Sequence, residues 1–218
     1  MNRAAVVVLD LDGVILRSNL IKHQAMLSLF EGAPAHREAV SSYILANGGV
    51  PRREKIAVIL REILAVPDTP DVLSHYLTRY AVQLEGLLAV APLVEGVAEF
   101  VQNQAFTFYV CSSAPEAEVE SQLVRTGLLG HFTAVFGSTT TKANALRQVR
   151  QQQVGAKPVF FGDSISDLQA AQEAGVAFIA VTNERDNFIE HKVVKLKDFS
   201  SSELVQSCMQ AALLAGAT

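Results

Sequence analysis

Two aspartates two residues apart, Asp10 and Asp12, close the apolar run in "VVVLDLDGVI" and are followed at once by Gly13. In an extended segment, residues i and i+2 share a face, so this spacing offers both carboxyls to one site while the glycine lets the backbone turn. Paired carboxyls suit covalent and acid–base work, in which one group attacks and the other supplies or takes a proton. Other apolar runs end in similarly able residues: Ser112 and Ser113 follow "FTFYVC", Asp163 follows "PVFFG", and Asp167 lies four residues further on. A single aspartate at a strand end can simply cap the next turn or helix. Four carboxylates at one sheet edge would repel one another and suffer raised pKa values unless a positive charge sat among them. A hard divalent cation meets that need, and magnesium prefers a few carboxylate oxygens and often shares a phosphate with the protein. Lys142, which follows "GSTTT", is the organic cation nearest this set, in a position where a lysine is otherwise a solvated surface residue.

These residues need a frame that brings distant strand ends together. The runs "AAVVVL", "FTFYV", "AVFG", "PVFFG" and "VAFIAV" lack period-two alternation, as strands buried on both faces of a parallel sheet do. Between them, Leu123 before Gly127, Ala143–Leu146–Val149, and Leu168–Ala171 before Gly175 have the spacing and stops of crossover helices. The alternation predicts an α/β protein with a doubly wound parallel sheet, in which ligands bind beyond the carboxyl ends of the strands. Residues from about 17 to 88 read differently. Ile56, Ile59, Leu60, Ile63 and Leu64, and then Leu73, Tyr76, Leu77, Tyr80 and Leu84, follow one helical face with no strand-like run between them. The expected organisation is an α/β core of residues 1–16 and 89–218 with an all-helical insertion at 17–88. Pro92 and Gly96 frame the helix that leads back into the core.

Composition narrows the class. With 218 residues, half of them apolar, the chain can bury a sizeable core. The net charge of −4 and the absence of a basic cluster argue against nucleic acid as a partner. The start "MNRAAVVVLDLD" is neither a secretory signal nor a membrane span, so a cytoplasmic protein without a membrane partner is expected. Cys111 and Cys208 form no disulfide framework or metal spacing and read as buried thiols.

"DLDGVI", the serine pair, the lone lysine and "GDSISDLQAAQEAG" resemble, in order and spacing, the four motifs of the haloacid dehalogenase-like hydrolases, a superfamily made up mostly of magnesium-dependent phosphatases. The resemblance implies a Rossmann-like core and a helical cap. It makes Asp10 the nucleophile that forms an aspartyl-phosphate, and Asp12 the group that protonates the leaving oxygen and then activates water. It makes Ser112 the hydroxyl that holds the transferring phosphoryl group, with Ser113 helping through its amide, and Lys142 the balancing charge. Magnesium would be held by Asp10, the carbonyl of Asp12 and Asp163, with Asp167 acting through bound water or by orienting Lys142. Dehalogenating members lack the second aspartate, so Asp12 favours phosphoryl transfer.

The insertion carries "NGGVPRREK", in which Pro51 suits a first helical turn and Arg52, Arg53 and Lys55 crowd a helix start, an unfavourable place for cations. Some contact should compensate, whether a substrate anion or the solvent around an open turn. "GGVPR" is similar to the cap segment of β-phosphoglucomutases, whose matching arginine grips a distal phosphate, which implies substrate-binding roles for Arg52 and Lys55. The chain also resembles phosphoglycolate-phosphatase-like members, although Arg17 stands before Ser18 where many of them have an acidic residue. The expected function is hydrolysis of a small phosphorylated metabolite, a sugar phosphate or phospho-acid. The alternatives are a phosphomutase using the same intermediate and a non-catalytic binding protein on the same fold.

Overall fold

The structure is a computed structural model, and it describes residues 5–215. By Cα proximity the chain divides into two compact units, one of residues 1–17 and 92–218 and the other of residues 18–91.

The first unit is built on six parallel strands: β1 (Ala5–Leu9), β2 (Phe106–Cys111), β3 (Phe132–Phe136), β4 (Val159–Gly162), β5 (Ala177–Val181) and β6 (Val194–Leu196). They lie in the order β3-β2-β1-β4-β5-β6, so the chain leaves the centre in both directions and the order reverses beside β1. The apolar runs lack alternation because both faces are covered. Val7 and Leu9 of β1 pack in one cluster with Phe108, Phe161 and Met209, while Val6 and Val8 pack in another with Leu146, Val149 and Ala171. Val6, Val7, Val8 and Leu9 are fully buried, and each contributes roughly 1.5–3 kcal/mol of apolar burial. The second cluster is made with the helices Lys142–Gln152 and Ile165–Ala174, which thus face the even-numbered side chains of β1. The edge strand β6 was not expected from the sequence, because three residues with a lysine in the middle carry too little pattern to stand out.

The second unit is helical: α1 (Asn19–Ser28), α2 (Arg37–Ala46), α3 (Arg52–Val58), a π-helical turn at Ile59–Ile63 and α4 (Pro70–Leu88). Its core joins Met26, Ile44, Ile56, Ile59, Leu60, Leu73 and Leu84, the residues whose helical spacing was legible together with partners from α1 and α2. Thr69 caps α4 by accepting from the Val72 amide, with Pro70 at the first helical position where its missing N–H costs nothing. Among the described residues, no helix is long and apolar enough to cross a membrane.

Candidate active site

Asp10 leaves β1 on the even-numbered face, the face covered by α7 (Lys142–Gln152) and α8 (Ile165–Ala174), completing the helices of the core with α5 (Val97–Val101), α6 (Glu116–Arg125) and α9 (Ser202–Ala215). Strand parity therefore aims the first carboxylate between the helices that carry Lys142 and Asp167. Lys142 is the first residue of α7, whose N-cap Thr141 accepts from the Asn144 amide, so the lysine's place is set by a helix start. Its Nζ donates to Asp10 Oδ2 at 2.6 Å and to Asp167 Oδ1 at 2.5 Å. The three side chains are 8% exposed or less, which shields the pairing from solvent.

Asp167 is held on its other side as well. Ser164 is the N-cap of α8, and the two residues form a capping box. Asp167 Oδ2 accepts from the Ser164 hydroxyl at 2.6 Å and from the Ser164 amide at 3.1 Å. Both oxygens are thus committed within the protein, which suits Asp167 to orienting Lys142. Gly162 makes room for this arrangement: a Cβ there would stand 2.4 Å from the Asp167 Cβ and 2.9 Å from its Oδ2. Gly162→Ala is expected to push Asp167 off the lysine and destabilise the fold by about 1–3 kcal/mol, as overpacking does. Urea denaturation would show this as a lower midpoint with an unchanged slope.

Asp163, half-buried after β4, joins the group: one carboxylate oxygen from each of Asp10, Asp163 and Asp167 lies within 4.8 Å of the others. With Asp167 turned to Lys142 and Ser164, Asp10 and Asp163 remain as two hard oxygen donors, and magnesium takes one or two carboxylates and keeps waters, so the donor set fits that ion. Burial pushes the Asp10 carboxyl up to about 7; the Lys142 ammonium opposes this, and the charges of Asp167 and Asp12 add to it. For Lys142, burial works to lower the pKa, but the carboxylates of Asp10 and Asp167 hold it well above its ordinary value.

The neighbouring strand supplies the serines. β1 and β2 run in register with Leu9 beside Val110, which puts Asp10 next to Cys111 and just short of Ser112. Ser112 is buried, its amide donates to the Phe136 carbonyl at 2.9 Å, and its Oγ accepts from the Ala114 amide at 3.1 Å. The hydroxyl proton therefore remains available to an anionic oxygen. Ser113 is half-buried in the same turn. Asp12 is half-buried at a turn in which Gly13 has φ +74° and donates its amide to the Leu16 carbonyl at 2.7 Å. Cys111 and Cys208 are free and buried, as read from the sequence, and burial pushes both thiols up, away from reactivity.

Arg52 and Lys55 belong to the helical unit, at the start of α3. Pro51 is the N-cap rather than the first helical residue, and Glu54 places a carboxylate in the first turn. One contact of Arg52 is aromatic: its guanidinium lies 5.1 Å from the centre of the Tyr80 ring. Two asparagines that the sequence did not single out reach the acidic loops from beyond β5. Asn183 Nδ2 donates to the Gly13 carbonyl, and Asn187 Nδ2 donates to the Asp163 carbonyl at 2.8 Å. The signal was available, since "VTNERDN" follows a strand just as the acidic segments do.

A sequence model described as haloacid dehalogenase-like hydrolase matches residues 7–181. A 2-hydroxy-3-keto-5-methylthiopentenyl-1-phosphate phosphatase of Microcystis aeruginosa is 26% identical over 46% of this chain and 54% of its own. A phosphoglycolate phosphatase of Synechococcus elongatus is 29% identical over 53% of this chain and 59% of its own. The chain thus spans little more than half the length of these curated relatives. In fold it is similar to CbbY from Rhodobacter sphaeroides, solved in complex with phosphate, with a TM-score of 0.71 and 18% identity over 91% of this chain and 96% of that one.

Proposed function

Because this chain belongs to the haloacid dehalogenase-like hydrolase family, we propose that it is a magnesium-dependent phosphatase acting on a small phosphorylated metabolite, a sugar phosphate or phospho-acid. The observation that carries the reading is the buried bridge of Lys142 between Asp10 and Asp167, with Asp163 in the same carboxylate group. Such a bridge orients a nucleophilic carboxylate and opposes the protonation that its burial favours. The two phosphatase relatives support the substrate class.

In this reading, an Asp10 carboxylate oxygen attacks phosphorus and forms an aspartyl-phosphate as the bond to the leaving oxygen breaks. Asp12 gives its proton to that oxygen. Water then attacks the same phosphorus, yielding its proton to Asp12, and phosphate departs with Asp10 restored. Splitting one displacement into two lets each step use groups already in place. Ser112 donates to a phosphoryl oxygen, Ser113 assists through its amide, and Lys142 offsets the charge gathered in the transition state. Asp10, the Asp12 carbonyl and Asp163 would hold magnesium, and Asp167 serves the site through Lys142. When bound, the ion supplies Lewis-acid stabilisation of the phosphoryl oxygens. Arg52 and Lys55 are assigned to substrate recognition on the resemblance to β-phosphoglucomutases.

Phosphate release from a panel of sugar phosphates, phospho-acids, nucleotides and 4-nitrophenyl phosphate tests the reading. Turnover of at least one member is expected, falling by about 10²-fold or more with chelator and returning with added magnesium, as removal of a metal's charge stabilisation requires. An intact aryl phosphate in the presence of magnesium would overturn hydrolysis, and activity seen only after priming with a bisphosphorylated sugar would make the protein a mutase.

A further inference from the structure

The loop that follows β5 grips both acidic segments. Asn183 Nδ2 donates to the Gly13 carbonyl, one residue beyond Asp12 and 170 positions away along the chain. Only the amide nitrogen can face a carbonyl oxygen, so this contact fixes which way the side chain points. Asn183 Oδ1 is then buried and accepts no hydrogen bond among the described residues. An unsatisfied buried oxygen costs about 1–3 kcal/mol, so stability alone is a poor account of this asparagine. Four residues on, Asn187 Nδ2 donates to the Asp163 carbonyl at 2.8 Å.

The loop is itself anchored. Phe188 is fully buried against Leu168 and Ala180, and its amide donates to Asp186 Oδ1 at 2.8 Å. Asp186 Oδ2 accepts from Lys195 of β6 at 2.7 Å. The grip on Gly13 thus starts from a fixed base and ends on a turn whose shape depends on the positive φ of Gly13. That carbonyl belongs to the Gly13–Val14 peptide, one residue past Asp12, so letting it go would loosen the turn that carries the Asp12 side chain.

We propose that Asn183 is a positioning residue for Asp12: by holding the Gly13 carbonyl it keeps the Asp12 carboxyl aligned to protonate the leaving oxygen. This rests on the phosphatase reading and on Asp12 as the acid. A positioned acid is worth roughly 10²–10⁴-fold, but only for leaving groups that need a proton. Loss of position should therefore show a leaving-group dependence that a general weakening of the fold does not produce.

The test compares kcat/KM, which reports steps through departure of the leaving group, for phenyl phosphate and 4-nitrophenyl phosphate. The two have the same shape around phosphorus, but 4-nitrophenolate departs without help. In Asn183→Ala, kcat/KM for phenyl phosphate should fall about 10- to 100-fold and that for 4-nitrophenyl phosphate less than about threefold. Asn183→Asp keeps the shape but puts a carboxylate oxygen where the donor was, and should show the same split. Asp12→Asn should show a larger one. Equal losses on both substrates in Asn183→Ala, or an Asn183→Asp variant with wild-type behaviour, would overturn the positioning role. An Asp12→Asn variant without a split removes the acid on which that role depends, and a wild type that hydrolyses neither ester removes the phosphatase reading itself.

Discussion

Asp10→Asn is expected to lower phosphate release by on the order of 10⁴-fold or more, because the amide is no nucleophile. The fold should survive. Asn can still accept one of the two hydrogen bonds now made by Asp10, from the Leu11 amide at 2.7 Å and from Lys142. Lys142 also keeps Asp167 as its counter-charge. The variant removes a charge whose burial is unfavourable. Because the folded carboxyl has its pKa raised to about 7 from an ordinary 3.8, the native state binds this proton more tightly than the unfolded chain does. The stability owed to the protonated form is therefore full below pH 3.8 and is lost as pH rises through 7. Thermal melts in chelator should show wild type losing ground to Asp10→Asn across that window, with the variant at least as stable at pH 8. An Asp10→Asn protein with near wild-type phosphate release would remove Asp10 from the nucleophile's role.

Lys142→Met should be costly in both respects. The methionine fills similar space without charge and leaves Asp10 and Asp167 facing each other at 5% and 0% exposure with no cation between them. Removing one partner of a buried ion pair typically costs about 3–5 kcal/mol, and a protein of this size loses roughly 2–4 °C in melting temperature per kcal/mol. A drop of roughly 10 °C follows from these two ranges. Phosphate release should fall about 10²–10³-fold through loss of charge stabilisation. The double variant Lys142→Met/Asp167→Asn separates the two effects. Taking away the stranded second carboxylate should recover much of the melting temperature, while turnover stays low. Full recovery of turnover in the double variant would show that Lys142 acts on the fold and not on the reaction.

Much of the framework was legible because it is local. Strands buried on both faces must be apolar throughout, and β1, β2, β4 and β5 carry that signature in contiguous residues. The crossover helices announce themselves by spacing and by terminal glycines such as Gly175, which ends α8 at φ +64°. The capping box of α8 could be read from "SISD", since a serine followed three positions later by an acid is a pattern within a single turn. The short edge strand β6 lacked a pattern, and nothing within the π-helical turn at Ile59–Ile63 distinguishes it from a regular helix.

The sequence by itself determined which residues could do chemistry, and that parallel strand ends would gather them. A strand followed by a carboxylate is a local statement, and the sheet rule supplies the rest. Only the tertiary structure decided how those residues pair. Lys142 reaches Asp10 across 132 residues and Asp167 across 25, and both oxygens of Asp167 are engaged by partners. Asn183 reaches Gly13 across 170 residues. Such contacts depend on strand order, register and the face on which each helix packs. These are set by the burial of the whole core, and no local stretch of sequence encodes them.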